Sequence, residues 1–347
     1  MKPLLTVAIP TYNRPSSLRN ILEVLCKCSS NKFEILISDD SSDQRVHDLV
    51  RQYQQRISNL RYFLNPTNLG FNANVAQLYE LSTTPYVWFL CDDDTIFESS
   101  VSNIIFTLER NNPAVCIFNC SWNNVYNIKS YTDVKEDRVF DNLATFNSYD
   151  VLMRMTFLSI LVFEKRDGLI EKIKKGPFFF DNVFVQLTLG LSILSQNFRL
   201  CESAKYILHR NVGYRYGEFC KFILLDSLKA VFDQPTAFNN KKFVSWSIRN
   251  LYKSALLLLS QKIGLFHYEG KTTLENKILL RKYYGKFYYC IIFTKILFEL
   301  VPNCLVRFVY LCRLMTIYGI GNSYEIYKKQ INRSIKDQRE TKFITYN

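Results

Sequence analysis

Four times within the first hundred residues, an apolar, β-branched run stops on a cluster of polar side chains. The runs are "LLTVAIP", "FEILIS", "LRYFL" and "YVWFL", and the clusters at their ends are "IPTYN", "SDDSSD", "NPTNLG" and "CDDDT". Between them lie stretches at helical spacing: "SSLRNILEVLCKC", "RVHDLVRQYQQRI" and "NANVAQLYELS". Short continuous apolar runs read as buried strands, and strands alternating with helices of about 10–15 residues predict an α/β fold with a parallel sheet. Ligands of such sheets bind outside the carboxyl ends of the strands. All four polar clusters fall at those ends, so they are expected to converge on one crevice.

Leu18, Ile21, Leu22 and Leu25 share one face of the first helix, and the serines before them are candidate caps. Further on, "AVCIFNCSW" reads as a strand and "TFLSILVFEKRDGL" contains one. "FFFDNVFVQLTLGLSILS" reads as a helix and "FRLCESAKYILHR" as a late pair of strands. Beyond about residue 215 the pattern turns helical, basic and rich in Tyr and Phe. The expected organisation is an α/β domain over residues 1–215 followed by a basic amphipathic helical extension over 216–347.

The net charge of +13 belongs to that extension: up to His209 there are 21 Lys and Arg against 22 Asp and Glu, and beyond it 23 against 9. Such asymmetry points to an anionic partner for the second region. A composition of 48% hydrophobic and 22% charged residues excludes global disorder. The ten cysteines form no CxxC pair, and His47, His209 and His267 lie far apart. Neither a structural zinc site nor a disulfide framework is expected. "MKPLLTVAIPTYN" lacks the apolar length and cleavage site of a signal peptide. The most apolar late stretch, from Ile291, is interrupted by Lys295, Glu299, Pro302, Arg307 and Arg313, which makes a poor spanning helix. A cytoplasmic protein with reduced thiols is expected.

"WFLCDDDT" sets three adjacent aspartates, Asp92, Asp93 and Asp94, directly behind a buried strand. Like charges this close repel one another, so something positive belongs there. Hard divalent cations take oxygen ligands, and Mg2+ combines one or two carboxylates with substrate phosphates. The same residues also suit a solvated turn that begins a helix. In "SDDSSD", Asp40 either accepts a hydrogen bond from a base N–H or belongs to a simple Asx turn. "IPTYNRP" either holds a base or ribose edge with Thr11 and Tyr12, or is a strand exit stopped by Pro10.

In this order and at these spacings, "VAIPTYNRPSSL", "FEILISDDSSD", "NPTNLGFNANV" and "VWFLCDDDT" resemble the family 2 nucleotide-sugar glycosyltransferases of the GT-A fold. The likeness runs over residues 3–215 and is most specific in the first hundred. "NLGFNANV" and "SILVFEK" most resemble enzymes of bacterial O-antigen assembly, the abequosyltransferase-like 3,6-dideoxyhexosyltransferases. The resemblance implies a Rossmann-like, mostly parallel sheet flanked by helices. It implies that Pro10, Thr11, Tyr12 and Arg14 line the nucleotide pocket, that Asp40 contacts the base and that Asp39 supports the turn. Asn68 and Gly70 would lie under the ribose or sugar, Asp93 would meet the ribose, and Asp92 and Asp94 would serve a divalent cation, Mg2+ or Mn2+. Many members carry an acid at the position of Cys91, which leaves the first carboxylate of the motif ambiguous here. The implied reaction moves one sugar from a nucleotide-sugar donor to a lipid-linked oligosaccharide of a surface polysaccharide such as O-antigen or capsule, usually with inversion. A CDP-linked 3,6-dideoxyhexose is among the donors implied. The Gln-x-x-Arg-Trp signature of processive members is absent, which supports addition of a single sugar.

Transfer to a hydroxyl needs a nearby general base. The resemblance puts it at Asp181 in "GPFFFDNVFVQL", where Phe180 stands in place of the usual acid; a lone Asp starting a helix also serves as an N-cap. In "KYILHRNVGYRYGEF", His209 and Arg210 either reach the diphosphate or form a strand-end surface pair. C-terminal stretches such as "SWSIRNLYKSALLLLSQKIGLF" suit the interface of an anionic membrane, or a helical subdomain with a solvated basic face. No recognition motif supports nucleic-acid binding. The expected location is peripheral, on the inner face of the cytoplasmic membrane. Two rival functions remain. A nucleotidyltransferase would want a glycine-rich phosphate loop, and "IPTYNRPSS" has no glycine. A catalytically inactive membrane scaffold of the same fold is kept open by the missing acids at Cys91 and Phe180.

Overall fold

A computed structural model of the chain describes residues 2–28, 31–124, 127–130, 134–141, 154–155, 157–174, 185–210 and 300. All but Leu300 fall in the first of the chain's two compact units. Asp181 and the expected boundary near 215 lie outside the described residues, as does the extension 216–347 apart from Leu300.

The chain begins with β1 (Leu5–Thr11), α1 (Pro15–Lys27), β2 (Phe33–Asp39), α2 (Arg45–Gln54), β3 (Leu60–Leu64), α3 (Phe71–Leu81) and β4 (Tyr86–Phe89). Every residue of β1 and β2 is buried, as expected of strands covered on both faces, and this is why their sequences run apolar without alternation. On α1 the buried residues are Leu18, Ile21, Leu22 and Leu25, the face that the spacing predicts. The predicted serine caps do not form. Arg14 holds the cap position without a side-chain bond, and Pro15 fills the first turn, where a missing N–H leaves nothing unsatisfied.

The second half comprises β5 (Thr95–Ile96), α4 (Ser100–Asn111), β6 (Val115–Asn124), β7 (Asn127–Ser130), β8 (Arg138–Phe140), β9 (Leu161–Glu164), α5 (Leu169–Lys174), α6 (Val185–Gln196) and β10 (Leu200–Arg210). The strands form one sheet in the order β3-β2-β1-β4-β9-β6-β10-β5, with β7 on β6 and β8 on β10. From β3 to β4 all pairs are parallel. β9 then runs antiparallel between β4 and β6, while β6 and β10 are again parallel. The expected late strand pair is one strand: its polar interruption around Ser203 is absorbed as register shifts between Glu202 and Leu208 rather than as a turn.

Trp88, Phe89, Phe118, Phe163 and Tyr79 are all fully buried, with Trp88 and Phe89, neighbours on β4, on opposite faces of the sheet. Phe89 lies 5.8 Å from Phe163 and 6.5 Å from Tyr79 between ring centroids. The Trp88 indole N–H donates to the Ser159 carbonyl at 2.8 Å, so the polar atom of the largest core side chain is satisfied. Among the described residues no helix is long and apolar enough to cross a membrane.

β1 has β2 on one side and β4 on the other, so the strand order reverses at β1. A crevice opens at such a switch point, outside the carboxyl ends of the strands. The topology thereby puts Thr11, at the end of β1, beside the aspartates that follow β4.

Candidate active site

The ends of β1, β2 and β4 and the start of α3 enclose a cleft of about 390 Å3. Pro10, Thr11, Tyr12 and Arg14 reach it from the first cluster, Asp40 from the second, Asn68 and Gly70 from the third, and Asp92 and Asp93 from the fourth. The four polar clusters therefore do converge. Phe71, Asn74 and Cys91 also line the cleft, and none of them was expected there as a contact.

The positive group beside the aspartates is Arg14. Its Nη1 donates to Asp92 Oδ1 and to Asp93 Oδ2, each at 3.0 Å. The Thr11 hydroxyl donates to Asp92 Oδ2 at 2.8 Å, so both oxygens of this buried carboxylate are engaged. Burial raises the Asp92 carboxyl above the usual range, and Thr11 and Arg14 oppose the rise without cancelling it. The two partners gain unequally. Burial lowers the half-exposed Arg14 guanidinium, but two carboxylates more than compensate and leave it raised.

Asp39 and Asp40, adjacent at the end of β2, have different partners. Asp39 is fully buried and accepts from the Tyr62 hydroxyl at 2.7 Å and the Ser41 amide at 2.8 Å. Burial pushes the Tyr62 phenol far up, with Asp39 adding to it, so it stays a donor. The Asp40 amide donates to the Thr11 carbonyl at 3.0 Å and ties the ends of β1 and β2 together. Its carboxylate accepts from Asn65 Nδ2 at 2.7 Å, and Asn65 is held in turn by Gln77 at 2.6 Å. Asn65 opens the cluster "NPTNLG" but had no role assigned from the sequence, and Gln77 carried no signal at all, since an amide that orients a carboxylate has no spacing of its own.

At the start of α3 the Gly70 amide donates to Asn68 Oδ1 at 2.8 Å. Gly70 has φ +79° and ψ 159°, a conformation that only glycine adopts without strain. Tyr12 and Phe71 are 49% and 48% exposed and present aromatic rings to the same cleft. Asn74 is buried; its amide nitrogen reaches the Ser38 carbonyl at 3.2 Å, while its Oδ1 has no partner.

The turn after β4 is closed by the Asp94 amide on the Cys91 carbonyl at 3.3 Å. Such a turn brings its first and fourth residues together. Cys91, Asp93 and Asp94 accordingly offer one sulfur and two oxygens within 4.8 Å of one another, about twice a metal–ligand bond of roughly 2.0–2.6 Å. That donor set fits a divalent cation. The expected pairing was Asp92 with Asp94, but Asp92 is turned to Thr11 and Arg14, and the set that converges is Cys91, Asp93 and Asp94. Burial pushes the Cys91 thiol well up, with Asp94 and Asp93 adding to the rise. The Cys91 amide donates to Ser159 Oγ at 3.0 Å, which fixes the start of the turn. Ser159 opens the stretch "SILVFEK", but no contact with the turn was expected of it.

His209 sits on β10 opposite Thr95 of β5, with its Nδ1 3.0 Å from the Ser121 hydroxyl. It is not one of the converging ligand set. Asp181 lies outside the described residues.

A sheet flanked by helices, with an acidic turn beside the switch point, is the GT-A architecture. Residues 6–159 match the family model described as "Glycosyl transferase family 2". A GalNAc(5)-diNAcBac-PP-undecaprenol beta-1,3-glucosyltransferase of Campylobacter jejuni is 29% identical over 104 residues, 30% of this chain and 34% of the relative. A validoxylamine A glucosyltransferase of Streptomyces hygroscopicus is 29% identical over 124 residues, 35% of this chain and 29% of the relative. These matches span about a third of the relatives' own lengths. Among solved structures, S. aureus TarS 1-349 in complex with UDP-GlcNAc shares the fold at TM-score 0.56 and 16% identity, covering 97% of this chain and 92% of that one. The mannosyltransferase PcManGT of Pyrobaculum calidifontis, in complex with GDP-Man and Mn2+, does so at TM-score 0.53 and 14% identity, covering 96% and 86%.

Proposed function

We propose that this protein transfers a single sugar from a nucleotide-sugar donor to a lipid-linked oligosaccharide, as a step in building a bacterial surface polysaccharide. One observation carries the reading: four strand-end clusters line one cleft that also adjoins a candidate cation set. The acceptor class is supported by the Campylobacter relative, whose name gives an undecaprenol-linked glycan.

In this reading the nucleobase lies against Tyr12 and accepts its direction from Asp40, whose carboxylate is pre-oriented by Asn65. Asn68 and Gly70 bring the α3 backbone close to the ribose or sugar. A cation held by Asp94 and Asp93 would neutralise charge on the departing diphosphate. Arg14, which bridges Asp92 and Asp93, keeps the remaining acidic charge balanced. Asp181 takes the proton of the acceptor hydroxyl as general base. The basic residues 216–347 hold the protein against the anionic inner face of the cytoplasmic membrane, where such acceptors reside.

The test is a panel of UDP-, GDP-, CDP- and dTDP-sugars, with and without Mn2+ or Mg2+. One nucleotide is expected to bind and to be released by hydrolysis or transfer only with metal. Asp94→Ala should lower that turnover by about 100-fold or more, the scale of removing one transition-state charge partner. Turnover near the wild-type rate in Asp94→Ala would overturn the metal role, and no hydrolysis of any donor would overturn the enzymatic reading.

A further inference from the structure

We propose that Cys91 is a sulfur ligand of the cation in this cleft, so that the site selects manganese and softer divalent ions over magnesium. This rests on the metal-dependent reading above and adds the identity of one ligand.

Three features of the turn lead here. Cys91 Sγ lies with the Asp93 and Asp94 carboxylates in a single set within 4.8 Å. Asp92, the neighbouring acid, has one oxygen on the Thr11 hydroxyl and the other on Arg14, which leaves Cys91 as the third donor that the turn brings round. The Cys91 backbone is fixed by its amide bond to Ser159 Oγ and by its carbonyl bond to the Asp94 amide. The position of the sulfur is thus set by the turn as well as by its own rotamer.

The chemistry of the donors then decides the ion. Mg2+ demands near-octahedral oxygen coordination and loses water reluctantly. Thiolates favour softer ions, and affinity rises from Mn2+ through Co2+ toward the later metals. On binding, the Cys91 S–H bond breaks, a sulfur–metal bond forms and the proton leaves to solvent, so no oxidant or reductant is needed. The bound set is one thiolate and two carboxylates, with Arg14 beside Asp93 supplying one compensating charge.

Cobalt(II) tests this directly, because a thiolate–cobalt bond gives a charge-transfer band in the near ultraviolet that carboxylate ligands do not. The full chain is titrated with Co2+ together with a nucleotide diphosphate, and bound metal is measured by equilibrium dialysis. The band is expected in the wild type, and its loss is expected in Cys91→Ser and Cys91→Asp; circular dichroism identifies whichever variant keeps the fold. By competition against Mn2+ followed by electron paramagnetic resonance, Cys91→Asp should shift preference toward Mg2+ by about tenfold or more. Bound cobalt without the band, or a band unchanged in the folded variant, would show that the carboxylates or another of the ten cysteines hold the metal, and would overturn the proposal while sparing the function. Dialysis showing no bound metal would overturn both.

Discussion

Asp92 is an anion that the fold buries on one side and balances on the other. Thr11 and Arg14 each take one of its oxygens, yet burial still leaves its carboxyl raised. A carboxyl raised in the folded state binds its proton more tightly there than in the unfolded chain. Ionising it therefore removes stability as the pH climbs from the ordinary Asp value of about 4 through the raised one. Asp92→Asn has no charge to bury and escapes that loss. Its unfolding free energy relative to wild type should rise across this window and then level off. A constant offset from the altered Arg14 contact does not change the trend. Urea unfolding at about pH 4 and pH 7 measures it; an equal difference at both values would mean that burial does not dominate at this site. The sequence made it plain that a cation belonged beside three adjacent aspartates. It did not show that Arg14 is that cation for Asp92, because the contact spans 78 positions and depends on the order of strands.

At the scale of elements, the first four strands and three helices were legible because each has a period or a continuous apolar run, and the polar clusters mark where each strand stops. β5, two residues long, has no period to read, and β7 and β8 are nearly as short. The antiparallel insertion of β9 is invisible in sequence for a different reason: a strand's direction is set by its partners, here β4 and β6. The start of α3 shows how a local signal can carry a long consequence. Gly70 holds φ +79° while its Asn68 partner turns the chain into the helix that borders the cleft. A Cβ at this position would meet nothing within 4 Å, so steric crowding does not explain the glycine. The backbone conformation does. Gly70→Ala should therefore cost about 1–3 kcal/mol from strain alone. It should also weaken nucleotide binding, as the helix start shifts away from the cleft. A variant as stable as the wild type in urea unfolding would show that the α3 start adapts freely.

Across the whole molecule, charge and chemistry are segregated. The residues up to His209 are nearly neutral at −1, while the remainder carries +14. The cleft with its acidic turn belongs to the neutral part. We propose an extended anionic surface as the partner of this basic, aromatic-rich remainder; near such a surface each Lys or Arg contributes about 1 kcal/mol. Because the interaction is electrostatic, it must fade as the screening length falls from about 10 Å at 0.1 M salt to about 3 Å at 1 M. The full chain should sediment with vesicles rich in anionic lipid at low salt. It should be released as salt rises, and it should ignore vesicles of zwitterionic lipid alone. Equal binding to both vesicle types would point instead to apolar insertion as the main force, and binding to neither would detach the basic region from any membrane role. Either result would leave the cleft's chemistry untouched, since among the described residues none that line it lies beyond residue 93.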